Sequence, residues 1–246
     1  MLPLKDDNPT RRFPVLTVVL IALNVLVFVY QSNKPNPQTF QTIAELQASQ
    51  TGFVCEFATV PDRVLDGEAP QDDACVNLNR EQARFTGLVT HQFIHAGWLH
   101  LLGNMLFLWV FGNNIEDRLG RLRFVPFFLL CGILAALGQA MTDPSSAVPL
   151  IGASGAISGV LGAYILLFPH ARVLSLVGII PLKLPAWLVL GVYIAFQFVY
   201  VSGQAQEGEG GVAYWAHIVG FIAGLALILP FLTGRPRDRA TRGLAR

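Results

Sequence analysis

Charge is what this sequence is short of. Asp, Glu, Lys and Arg make up 13% of its 246 residues, about half the share found in soluble domains. Hydrophobic residues fill 53% of positions, and the mean hydropathy is +0.51. A water-soluble monomer of this composition would expose large apolar patches and aggregate. There are only three cysteines, which excludes a disulfide-dense scaffold. The hydrophobicity excludes a disordered chain, and a net charge of +1 gives no reason to expect nucleic acid. Neither an internal repeat nor a low-complexity tract is present. What fits is a helical protein embedded in a lipid bilayer.

A bilayer core about 30 Å thick takes on the order of 20 apolar residues per helix. Six stretches meet or approach that length: Pro14–Tyr30, Trp98–Gly112 (extendable backwards over Leu88–Ala96), Phe124–Thr142, Pro149–Phe168, Leu184–Gly203 and Val212–Thr233. None contains Asp, Glu, Lys or Arg, as the cost of a charge at mid-membrane requires. The first is long for a signal peptide and lacks a small-residue cleavage site, so it reads as a mature helix. With the N-terminus in the cytoplasm, 13 of the 17 Lys and Arg fall on the inner side and 4 on the outer, the asymmetry of the positive-inside rule.

The expectation is an all-α bundle of six transmembrane helices with both ends inside. Residues 1–13 form a cytoplasmic N-terminus, 14–233 the membrane domain, and 234–246 a basic cytoplasmic tail near anionic lipid. A long outer loop, 31–97, carries Cys55 and Cys75. These are either a disulfide, stabilising a loop of about 20 residues by about 3 kcal/mol, or two free thiols. Cys131, inside the third span, reads as a packing residue.

Polar residues inside spans are functional candidates by default. Spans two, four and six all run from outside to inside, and each carries them near its outer end: His100 and Asn104, Ser154, and His217. Three distant segments thus place Ser, His, His and Asn at one depth. A serine hydroxyl becomes nucleophilic when a base takes its proton, and imidazole is the usual base. The Asn104 amide and the Ser154 backbone N–H can each donate to an oxyanion. His100 and Asn104, at i and i+4, share a helix face. No span offers Asp or Glu to orient His217, so the expectation is a Ser–His pair. Gly155 and Gly159 form a GxxxG pattern, as do Gly220 and Gly224, and Ser158 with Gly162 extends the small stripe. Such residues let helix backbones touch in lipid.

Other polar residues read as structural. Ser158 and Ser202 fit bonds to carbonyls one turn back, and Asn24 a packing hydrogen bond. His91, His95 and His100 lack the Cys, Asp or Glu that would complete a metal site, so no metal or cofactor is expected. His170 lies beyond the inner end of span four. A soluble α/β hydrolase would show G-x-S-x-G after a strand, whereas Ala156 follows Gly155 here. A transporter would favour a midplane carboxylate, and there is none. A catalytically dead, client-binding protein would lack the serine or the histidine.

These residues resemble the rhomboid family of intramembrane serine proteases over about Val89 to Gly224. Gly152-Ala153-Ser154-Gly155 looks like its GxSG motif, and His100 with Asn104 like its HxxxN motif. Ala216-His217 with Gly220 and Gly224 looks like AHxxGxxxG, and Glu116 with Gly120 like ExxxG. A Trp-Arg pair common in the family is replaced here by Thr86-Gly87. The resemblance implies a Ser154–His217 dyad, an oxyanion site of His100, Asn104 and the Ser154 amide, and close packing at Gly152, Gly155, Gly159, Gly220 and Gly224. It implies cleavage of transmembrane protein substrates within the lipid bilayer. Water would enter from outside through a cavity gated by span five and the Gln204–Gly211 loop. The expected setting is a multi-pass protein of a bacterial cell membrane.

Overall fold

The computed structural model describes residues 1–35, 45, 49–65, 80–202 and 213–233, with side chains described for all of these except 80–84 and 202. It is mostly helical. A short strand β1 (Leu2–Asp6) leads to α1 (Val15–Ser32), then α2 (Gln50–Phe57), α3 (Pro61–Val64) and α4 (Arg80–Thr90). The helices α5 (Trp98–Leu119) and α6 (Arg121–Thr142) follow, then α7 (Ser154–Leu167), a hairpin of β2 (Arg172–Val177) and β3 (Ile180–Pro185), α8 (Ala186–Ser202) and α9 (Tyr214–Leu232).

Among the described residues, α1, α6 and α9 are each long and apolar enough to cross a membrane. A fourth crossing is formed if α5 is taken together with Phe85–Phe93, from which it is bent by 88°. That bend corrects the backward extension expected over Leu88–Ala96. A 3₁₀ turn at His91–Phe93 ends the first rod, and α5 restarts at Trp98. At its other end α5 runs past Gly112 through a π-helical turn, Leu108–Gly112, and so takes in Glu116. The 14 residues of α7 reach only about 21 Å at the α-helical rise, and α8 is likewise a shorter apolar helix.

The pattern along α1 is inside-out. Its exposed stripe is Val19, Leu23, Leu26 and Tyr30, whereas Thr17, Asn24 and Gln31 are buried with Leu20 and Phe28. Both stripes keep the three- and four-residue spacing of one helix face. Apolar side chains face outward where a soluble helix would present charge.

The all-helical expectation misses a three-stranded sheet in the order β1-β2-β3. β2 pairs antiparallel with β1 (Leu2 opposite Leu176, Asp6 opposite Val173) and with β3, the hairpin closing at Val177 and Ile180. Gly178 has φ +63°, as such a turn demands. Residues 169–183 fall between the fourth and fifth spans and read there as an inner connection, which hid the strand. Asp6 pins the sheet to the helices. Its Oδ2 accepts from the Tyr164 hydroxyl at 2.6 Å and from Asn114 Nδ2 at 2.7 Å. Burial pushes its carboxyl above the usual value of 3.8, although these two hydrogen bonds oppose the shift.

Glu116 holds the start of α1. It accepts from the Leu16 N–H at 3.0 Å, the Thr17 N–H at 2.7 Å and the Thr17 hydroxyl at 2.8 Å. Pro14, at the N-cap, supplies no side-chain bond. A carboxylate from another helix therefore satisfies the free N–H groups and opposes the positive helix end. At the same end of the bundle Arg123 donates to the carbonyls of Phe231 and Thr233, closing α9.

Phe111, Phe124, Phe127, Phe128 and Tyr164 are fully buried between the helices. Lipid is as apolar as they are, so packing and dispersion hold this core rather than escape from water. The tightest contact joins α7 to α9. A Cβ on Gly220 would land on the Gly155 carbonyl, and one on Gly224 on the Gly159 carbonyl. Cys131 is a buried free thiol and Cys55 is disulfide-bonded. Cys75, the Gln204–Gly211 loop and the tail 234–246 lie outside the described residues.

Candidate functional site

Opposite the sheet, the bundle end collects the polar residues singled out in the sequence. Gln31, the penultimate residue of α1, clamps the backbone before α5: its Nε2 donates to the His95 carbonyl at 2.9 Å, and its Oε1 accepts from the His95 N–H at 3.3 Å. His95 is buried, its ring edge-on to that of His100 with centroids 5.0 Å apart. His100 Nδ1 accepts from the Ala96 N–H at 3.4 Å. A neutral ring accepting at Nδ1 carries its proton on Nε2, so the other edge of His100 is a donor.

That edge meets the loop preceding α7. Gly152 donates its N–H to the His91 carbonyl at 2.9 Å and has φ +112°, a conformation that favours glycine. A Cβ there would sit 2.8 Å from His100 Nε2 and 3.7 Å from Ser154 Oγ. His100 and the candidate nucleophile therefore flank one bare α-carbon. Ser154 is the first residue of α7, so its N–H is among those a helix leaves unpaired, at the positive end of the dipole. Asn104 Nδ2 donates to the His100 carbonyl at 3.1 Å. An amide nitrogen has two hydrogens, so one remains for a ligand.

His217 lies one turn into α9. The Ala216 N–H donates to Gln139 Oε1 on α6 at 3.1 Å, which seats the start of that helix. His217 Nδ1 is 2.9 Å from Gln197 Oε1 on α8. Gln197 Nε2 donates to the Tyr193 carbonyl at 3.1 Å, and the Tyr193 ring lies 6.3 Å from the imidazole. Among the described residues, Ser154 Oγ and His217 are not hydrogen-bonded to each other.

Gln139, Tyr193 and Gln197 were missed in the sequence. Each was visible as a polar atom in an apolar run, the same signal that marked Ser154. Ser158 corrects an expectation: its hydroxyl pairs with the Tyr193 hydroxyl at 2.7 Å and not with a carbonyl one turn back. Asn24 does bond within its helix, Nδ2 donating to the Leu20 carbonyl at 2.8 Å. His91 Nδ1 binds the Gly87 carbonyl at 2.9 Å. His170 is exposed between α7 and β2, at the sheet end.

The family model of the rhomboid domain matches residues 82–234. The mitochondrial rhomboid protein 1 of Saccharomyces cerevisiae is 33% identical over 142 residues, covering 56% of this chain and 39% of that protein. A putative rhomboid protease of Bacillus subtilis, YdcA, is 36% identical over 89 residues, covering 36% and 44% of the two chains. The rhomboid protease GluP of the same organism is 27% identical over 220 residues, covering 88% of this chain and 36% of its own length. The chain spans under half the length of each of these relatives. Because they come from a eukaryotic organelle as well as from bacteria, the likeness does not narrow the membrane to a bacterial one.

Proposed function

Since the chain belongs to the rhomboid family and is a multi-pass membrane protein, we propose that it is an intramembrane serine endopeptidase acting on transmembrane segments of other proteins. Ser154 Oγ attacks the scissile carbonyl carbon while its proton passes to His217 Nε2. The oxyanion is received by the Ser154 N–H, His100 Nε2–H and the remaining Asn104 N–H. As the C–N bond breaks, His217 returns the proton to the leaving amine. Water then hydrolyses the acyl-enzyme by the same proton route.

The observation that carries this reading is the interlock of α7 with α9. Backbones touching at Gly155–Gly220 and Gly159–Gly224 hold the start of α7 beside the first turn of α9, with the His100 edge on the near side. The absent Ser154–His217 bond is compatible with it, because such bonds are often long before substrate binds. The same reading takes residues 14–233 as a six-span domain with 31–97 outside, and puts 1–13, the sheet and 234–246 in the cytoplasm. Lys5, Arg118, Arg121, Arg123, Arg172 and Lys183 all belong to the sheet end, as the positive-inside rule favours.

The test is labelling of the purified chain by a serine-directed fluorophosphonate, with cleavage of a single-span reporter in proteoliposomes alongside. Wild type should label and cleave, while Ser154→Ala and His217→Ala should do neither and remain folded. Undiminished cleavage by either variant would reject the dyad.

A further inference from the structure

The amide behind His217 has no freedom in how it faces. Gln197 Nε2 donates to the Tyr193 carbonyl. A carbonyl only accepts, so the amide nitrogen must lie on that side. The amide oxygen then faces His217 Nδ1 at 2.9 Å. That oxygen likewise only accepts, so Nδ1 holds the imidazole hydrogen and Nε2 keeps its lone pair. Gln197 is 8% exposed, which limits exchange of these bonds for water. Tyr193 closes the brace, its ring against the imidazole and its hydroxyl bonded to Ser158 of α7.

We infer that Gln197 is a positioning residue that fixes the tautomer and orientation of His217, occupying the place where a carboxylate stands in a Ser-His-Asp triad. The inference rests on the protease reading for its consequence, because a free Nε2 lone pair is what a base accepting the Ser154 proton needs. An amide fills this place without introducing a charge into a region of lipid depth, where an ionised carboxylate is costly. It also makes α8 part of the machinery. The helix with no acidic or basic residue in either terminal turn supplies the only side-chain hydrogen bond that His217 makes among the described residues.

Two measurements on the full chain test it. In nitrogen-15 spectra of histidine-labelled protein, with His217 identified by difference from His217→Ala, wild type should show the Nδ1-protonated tautomer. In proteoliposomes Gln197→Leu should lower kcat by about 10- to 100-fold, the scale of a misplaced catalytic group, with KM unchanged. Gln197→Glu, which keeps an acceptor at that position, should recover most of the loss. An Nε2-protonated His217 in wild type overturns the inference, as does wild-type kcat in Gln197→Leu or equal impairment of the Leu and Glu variants. Should the Leu variant not fold, the wild-type spectrum and the Glu variant decide. Cleavage surviving Ser154→Ala would reject the Ser154–His217 dyad alone, since the tautomer is measured without substrate.

Discussion

Glu116 and Thr17, 99 residues apart in sequence, share two hydrogen bonds to one carboxylate oxygen, from the N–H at 2.7 Å and from the hydroxyl at 2.8 Å. With the Leu16 N–H on the second oxygen, this carboxylate caps α1 from outside its own segment. Replacing Glu116 by Ala strands two N–H groups in a buried setting. The expected loss is about 3 kcal/mol for bonds to a charged acceptor, with Glu116→Gln falling between. Thermal unfolding in detergent measures it, and an Ala variant as stable as wild type would remove Glu116 from the fold's support.

Asp6 sets a pH dependence. Its folded carboxyl titrates above the usual 3.8 because burial disfavours the charge. The folded state then binds the proton more tightly than the unfolded one. The stabilisation it contributes is fully present below about 3.8 and is lost as pH rises through the raised value. Both of its partners donate to a single oxygen, an arrangement an amide oxygen can reproduce. Asp6→Asn should flatten this part of the stability curve, leaving the variant at least as stable as wild type near neutral pH. Unfolding midpoints across pH 4 to 7 that fall in parallel for the two proteins would contradict this.

Glycines separate into two classes. Gly224→Ala would drive a methyl group into the Gly159 carbonyl, forcing α9 off α7, and should cost both stability and cleavage. Gly191, on α8, has nothing within 4 Å of its added Cβ. Gly191→Ala should be neutral or stabilising by roughly 0.5–1 kcal/mol, the helix preference for alanine. Comparable damage from the two substitutions would show that α7–α9 contact is not special.

Asn104→Ala should spare reporter binding and lower kcat on the order of 100-fold, as removal of one oxyanion donor does elsewhere. Wild-type turnover in that variant would leave the oxyanion to His100 and the Ser154 N–H.

The candidate site was legible as a set of polar residues because polarity is conspicuous where the solvent is hydrocarbon. Ser154, His100, Asn104 and His217 could be picked out and set at one depth from spacing alone. Gln197 carries the same signal, but it has no charge to mark it as a partner of His217, and a lone amide in an apolar run reads as a packing hydrogen bond. The sheet was hidden for another reason. Val173–Val177 reads as part of an inner connection between spans, and only Gly178 hints at a hairpin. Leu2–Asp6 has no strand signature of its own and is ordered by β2. The bend before α5 was equally unreadable, because hydropathy reports what surrounds a helix and carries no record of its direction.

The pairing of β1 with β2 also sets an order of assembly. Leu2–Asp6 is synthesised before α1, whereas its partner, Arg172–Val177, is made only after α1, α5, α6 and α7. Such long-range pairing forms slowly, so β1 waits unpaired until β2 has been made.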